Sequence, residues 1–301
     1  MKTKASEEIH TNEVYGFLFG DDDILKYYSI EDNKVYKLAK TNWDGGTICS
    51  IFADVEGGEV YFGTFGGLIY SLFSKSKSWI KDFEIESIIK HKCKILDSGG
   101  HGLTNTFEDI TLISVEDTVE NDIRSIESLF DDKDQNLYAL VWNDDDTHSI
   151  ITLPEDCGKY SLGEEIFRYD AKETYFCQAI AIPGRLKGID GKIYPFSIIS
   201  CVNPKYLDIN GKKIEGSEVE EEEGQIKRIA LLSSSSNKTE LIYSGYGLNK
   251  IVKVKIEGRK VKEKKTLISG LSDWVCALES VFDKKFHEKL VAKGETEFVC
   301  F

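Results

Sequence analysis

Residues 58–72, GEVYFGTFGGLIYSL, hold two short apolar runs on either side of a glycine-rich turn. Short runs rich in Val, Ile, Tyr and Phe and bounded by glycine signal a β-hairpin. The same pattern, an apolar-Tyr strand, a polar or glycine turn and a second strand, recurs four times. The copies are NEVYGFLFGDDDILKYYSI from Asn12, QNLYALVWNDDDTHSIITL from Gln135, GKIYPFSIISCVNPKYLDI from Gly191 and TELIYSGYGLNKIVKVKI from Thr239. Tyr15, Tyr61, Tyr138, Tyr194 and Tyr243 fall in corresponding places, at steps of 46, 77, 56 and 49 residues. The long step predicts a degenerate copy through KCKILDSGG from Lys92 and DITLISV from Asp109. A last copy is expected in EKLVAKGETEFVCF, ending at Phe301.

Upstream of most hairpins lies a further apolar segment: TICSIFADV from Thr47, IRSIESLF from Ile123, FCQAIAI from Phe176, IKRIALL from Ile226 and WVCALESVF from Trp274. Downstream comes a more polar strand, such as KVYKLAK from Lys34 or RKVKEKKTLI from Arg259. A unit of four short strands in about 48 residues, repeated with Gly, Asn and Asp turns, is the pattern of radially arranged β-sheets.

On these repeats the chain resembles the β-propeller superfamily over residues 12–301, with WD40-like and PQQ-like blades. EVYFGTFGGLIYSL looks most like blades of the PQQ-enzyme type. The Gly-His and Trp-Asp dipeptides of WD40 blades do not recur in register, and the paired-glycine pattern of kelch blades is absent, so no narrower family follows. The resemblance implies one all-β domain of six or seven four-stranded blades behind a polar tail, residues 1–11. It also implies closure by N- and C-terminal strands sharing one blade, with the EFVCF end buried as a strand. Cys49, Cys177, Cys276, Ala179 and Ala277 fit the narrow space where inner strands converge.

The chain has 301 residues, 41% hydrophobic and 30% charged, ordinary for a globular protein. No run approaches the roughly 18 apolar residues of a membrane helix, and MKTKASEEIH lacks a secretory apolar core. A cytoplasmic protein is expected. The net charge of −14 disfavours nucleic acid and anionic membrane as partners. Seven cysteines in an odd, irregular set predict reduced thiols and no disulfides.

Catalytic grammar is thin. There is no HExxH, no nucleophile elbow, no phosphate loop and no dinucleotide fingerprint. The nearest metal-like cluster, His91-x-Cys93-x3-Asp97-x3-His101, fits no common ligand spacing, so neither metal nor cofactor is expected. The acidic runs at Asp21–Asp23, Asp131–Asp132 and Asp144–Asp146, and between Glu218 and Glu223, read as solvated turns. The alternating Lys250, Lys253 and Lys255 read as lysines guarding a sheet edge.

Basic residues on inner strands, Arg124, Lys227 and Arg228, must reach water, a carboxylate or the channel, because burying an unpaired charge is costly. They read either as structural pairs or as grips on a ligand in the channel. The rim where loops meet collects Trp43, Asp44, Trp142, Tyr246, Asn249, Asp273 and Trp274, along with Asp22 and Asp145. Aromatic anchors among carboxylates suit a protein-binding surface. Each tryptophan equally reads as a cap on the core. The expected function is a non-catalytic scaffold docking a protein partner on this rim, as part of a multi-protein complex. The alternative is a propeller enzyme or a binder of a sugar or anion using the channel.

Overall fold

The computed structural model describes residues 13–41, 46–75, 77–79, 85–91, 94–99, 102–104, 123–156, 159–169, 175–203, 205–220 and 223–297. The recurring hairpins form as their alternation dictates. Glu59–Thr64 pairs antiparallel with Leu68–Ser71 around Gly67, and Leu137–Asn143 pairs with His148–Thr152 around Asp146. Gly67 and Asp146 both hold positive φ, +72° and +63°. These are the conformations for which glycine, Asp and Asn are the usual choices.

Each hairpin is extended on both sides into a sheet. Sheet A runs Ala277–Val281, Gly16–Asp21, Ile24–Ser29, Lys34–Lys40 and Glu295–Glu297. Sheet B runs Ile48–Asp54, Glu59–Thr64, Leu68–Ser71 and Lys77–Trp79. Sheet C has three strands, Ile85–His91, Lys94–Gly99 and Gly102–Thr104. Sheet D runs Ile123–Asp131, Leu137–Asn143, His148–Thr152 and Glu165–Tyr169, with a two-stranded flap, Glu155–Asp156 and Lys159–Tyr160, set between its last two strands. Sheet E runs Tyr175–Lys187, Ile193–Asn203, Tyr206–Ile209 and Lys212–Lys213; sheet F runs Arg228–Ser234, Lys238–Ser244, Lys250–Glu257 and Lys260–Ser269.

The first-named strand of each sheet is its inner strand, and the inner strands lie side by side: that of A against B, B against C, C against D, D against E, E against F, and F against A. This is a β-propeller arrangement. Five blades carry four or five strands, which corrects the expectation of six or seven. The degenerate copy supplies only the three strands of sheet C among the described residues, and DITLISV lies outside them.

The final copy is also corrected. Lys284–Lys293 is a helix, α1, not a strand. Asp283 caps it, its side chain accepting from the Phe286 N–H at 2.7 Å. Phe286, His287 and Leu290 then fall on one helical face and bury against sheet A. The Tyr27 hydroxyl meets His287 Nδ1 at 2.8 Å beneath it. Glu295–Glu297 returns to extended form beside Lys34–Lys40, and Phe298–Phe301 lie outside the described residues.

Cores lie between neighbouring sheets. One joins A and B through Leu18, Leu25, Ile51 and Phe62; others join A to F, E to F and D to E. Cys49, Cys177, Cys201 and Cys276 are buried and unbridged, while Cys93, Cys157 and Cys300 lie outside the described residues. Among the described residues no helix is long and apolar enough to cross a membrane.

Candidate functional site: the channel mouth

Four of the six inner strands share a defect near their start. Between Ile48 and Ser50, Ile85 and Ser87, Ile123 and Ser125, and Phe176 and Gln178, one extra residue is inserted opposite the second strand. A bulge leaves its extra residue out of the ladder. Two of these extra residues are Cys49 and Cys177, on sheets B and E. Arg228, at the start of the inner strand of sheet F, crosses to both: its Nε donates to the Cys49 carbonyl at 3.2 Å and its Nη1 to the Cys177 carbonyl at 3.3 Å. A third bond goes to the Lys227 carbonyl at 3.2 Å. The buried guanidinium is thus a strut between blades, its Nε and Nη1 donors given to backbone carbonyls.

Around this strut the mouth is lined by an arc of rings and cations. Arg124, the extra residue of sheet D, lays its guanidinium 4.4 Å above the Trp142 ring. It is pinned there by Asp146 at 2.7 Å and by the Asp144 carbonyl at 3.1 Å. Trp142 stacks parallel on His148 at 6.0 Å, and Tyr175 stands edge-on to both. Tyr175 donates its hydroxyl to the buried Glu127 carboxylate, which also accepts from Ser125. Lys227 Nζ then lies between two rings, 5.3 Å from Tyr175 and 4.9 Å from Tyr246. Tyr246 meets Trp274 edge-on at 4.5 Å, and Trp274 meets Phe65 at 6.0 Å. The arc therefore runs from sheet D through E and F to the turn of sheet B.

Trp274 is the most exposed of these rings, at 45%. Its backbone is nonetheless fixed. The Trp274 carbonyl accepts from the Asp22 N–H at 3.0 Å, and its strand bridges to Tyr246. Asn249, at φ +51°, donates to the Asp273 carboxylate at 2.6 Å and to the Leu271 carbonyl at 3.2 Å, holding the adjacent loop. A rigid backbone presenting an exposed indole loses little entropy when the ring is covered.

His148 is 1% exposed, and neither ring nitrogen has a hydrogen-bond partner. Burial pushes its imidazole down to about 4, so it is neutral near pH 7 and adds no charge beneath Trp142. Deeper in the channel a cavity of about 320 Å³ is lined by Ser50, Ser128, Asp131, Gln178 and Glu279 as well as Arg228. Burial, with the Asp131 charge adding, pushes the Glu279 carboxyl up to about 8 although the Ala53 backbone hydrogen bond opposes it. Asp131 is itself raised by burial and by Asp132. Among the described residues no group of three His, Cys, Asp or Glu side chains is placed to hold a metal ion.

Of the residues expected on the rim, Trp142, Tyr246 and Trp274 enter the arc of ring contacts and Asn249 and Asp273 are bonded in the loop beside Trp274, while Trp43 and Asp44 lie outside the described residues. Of the expected channel residues, Lys227 belongs to the arc, Arg124 is tied to the Asp144–Asp146 turn, and Arg228 bonds the Cys49, Cys177 and Lys227 carbonyls while also lining the cavity. Phe65, Tyr175 and His148 complete the mouth and were not singled out by the sequence. The signal for Tyr175 was its place one residue before the inner segment FCQAIAI, where Arg124 and Lys227 also stand near the starts of their strands.

No family model and no curated protein matches the chain. Solved structures do. A chain of the crystal structure of a mitotic checkpoint complex aligns over 93% of this chain and 88% of its own at 10% identity, TM-score 0.50. The WD40 β-propeller domain of Doa1 aligns over 89% and 84% at 11% identity, TM-score 0.51. A protein of unknown function from Bacteroides caccae aligns over 90% and 100% at 11% identity, TM-score 0.51. The likeness is one of fold: this chain is a β-propeller with WD40 propellers among its structural neighbours.

Proposed function

We propose that the chain is a non-catalytic interaction scaffold whose partner protein docks on the channel mouth, within a cytoplasmic multi-protein complex. The observation that carries this reading is the arc from Arg124 to Phe65, a run of rings and cations across several blades with an exposed indole fixed on rigid backbone. Such aromatic anchors supply most of the binding energy at protein interfaces. A ring closed through sheet A, where Gly16–Asp21 pairs with Ala277–Val281, would keep the blades at fixed spacing beneath them. One structural neighbour is itself a member of a multi-protein assembly, the mitotic checkpoint complex, which is consistent with this role.

The channel is the weaker candidate. Among the described residues lining the cavity Arg228 is the one basic side chain, and its Nε and Nη1 already bond carbonyl oxygens, which leaves fewer donors for an anionic or sugar substrate. The test is affinity capture from source-cell lysate with the parent and a Trp274→Ala variant side by side, each checked for folding by circular dichroism. The expected result is a stoichiometric partner held by the parent and released by the variant, a loss of at least about 2 kcal/mol. A partner held equally by both would remove the mouth from the reading.

A further inference from the structure

Arg124, Lys227 and Arg228 stand near the starts of inner strands at the mouth, and their bonding separates them. Arg124 is paired with the Asp144–Asp146 turn, and its guanidinium plane is covered by Trp142. Arg228 is buried and gives its Nε and Nη1 to three backbone carbonyls. Lys227 makes no ion pair among the described residues; its ammonium rests between the faces of Tyr175 and Tyr246. The nearby imidazole of His148 is neutral, and Glu127 is turned toward Tyr175 and Ser125. Of these three cations, Lys227 stands without an ion pair among the described residues, framed by aromatic surface, on a molecule of net charge −14.

Resting on the docking reading above, we propose that the mouth is selective for an extended partner segment carrying a single Asp or Glu beside a large apolar residue. The acidic side chain pairs with Lys227, and the apolar one covers the Tyr246–Trp274 pair. The surroundings define the limits of this preference. The Asp144–Asp146 turn is already paired with Arg124 and Arg168, and Asp273 adds a carboxylate held by Asn249, so a run of acidic residues finds no cation beyond Lys227 to pair with among these groups. A basic side chain at the centre would meet an ammonium with like charge. Among the described residues Lys227 has no ion pair to lose when it turns to a partner; its cation–π contacts compete, and these are compatible with a carboxylate above the rings.

The probe is a phage-displayed library of random twelve-residue peptides selected on the full chain, followed by fluorescence polarisation of the enriched peptide in Glu, Gln and Lys forms. The variants are Lys227→Gln, Lys227→Arg and Trp274→Ala. The proposal expects Asp or Glu next to an aromatic or leucine in the enriched set. It expects about a fivefold weakening when the peptide Glu becomes Gln, about the same weakening with Lys227→Gln, and no further loss when both are changed. Lys227→Arg should retain most of the affinity. Additive losses in the double change, enrichment of basic peptides, or no enrichment at all would overturn it. Enriched peptides that weaken with Trp274→Ala but ignore Lys227 would overturn the acidic preference and leave the docking face standing; peptides indifferent to both would remove the docking face as well.

Discussion

Single residues in this protein serve the mouth and the channel in different ways, and two of them are measurable through stability. Arg228 satisfies the carbonyls that bulging frees at Cys49 and Cys177. Buried acceptors left without partners cost about 1 to 3 kcal/mol each, less where water can enter. Arg228→Ala is expected to lower unfolding stability by about 2 kcal/mol in urea titration, where a pure ligand-binding role predicts no change without ligand. Glu279 makes the opposite kind of prediction. Its folded carboxyl, raised to about 8 from the ordinary 4.5, keeps a proton that the unfolded chain has released. The folded state binds more protons between those values, so stability is highest below them and falls as pH rises. From pH 6.5 to pH 8 the loss should be about 2 kcal/mol, with His148 neutral in both states over most of that range. Glu279→Gln should flatten this slope; an unchanged slope in the variant would show that Glu279 is not the group concerned.

At the level of elements, the hairpins were legible because their signal is local: alternation of apolar residues and a turn of Gly, Asp or Asn. Sheets A, B, D, E and F each contain the strands their sequences announce, including KVYKLAK and the strand from Lys260. The inner strands were legible too, through small residues at the channel. What the sequence concealed depends on registers and distant partners. The bulge that presents the Cys49 and Cys177 carbonyls is visible only as a recurring apolar-x-Ser or apolar-x-Gln start, a faint signal without the paired strand. Lys250–Glu257 read as an edge, but it is the third strand, covered by Lys260–Ser269. Its lysines pair across strands, Lys253 with Glu240 at 2.5 Å and Lys255 with Glu263 at 2.7 Å. The helix α1 was missed because its apolar face is short and a repeat was expected there. Its cap at Asp283 and the buried Phe286 and Leu290 were present in the sequence as a helical spacing that the β pattern overshadowed. Trp142, Tyr246 and Trp274 were named from their places in the repeat, and the structure sets all three in the run of ring contacts; their role in docking is proposed. Lys227 was legible as a basic residue near an inner strand, but not as the uncommitted one, because that distinction rests on which carbonyls and carboxylates reach Arg228 and Arg124.

Across the whole molecule the two ends of the channel differ in character. The mouth holds the aromatic arc, the Arg228 strut and the uncommitted Lys227. Among the described residues the other exposed large apolar side chains are Ile30, Val55, Ile189 and Phe282, each just beyond the end of a strand, and Ile193 at the start of one; none contributes to the arc. A scaffold that docks its partner at the mouth should bury one of these regions and leave the other open. The decisive measurement is amide hydrogen exchange of the full chain with and without the partner captured by the Trp274 comparison. The account predicts slowed exchange in residues 223–228, 244–250 and 271–276, with Val55, Ile189 and Phe282 unchanged. Protection confined to the segments around Val55, Ile189 and Phe282, with the mouth still exchanging freely, would contradict it.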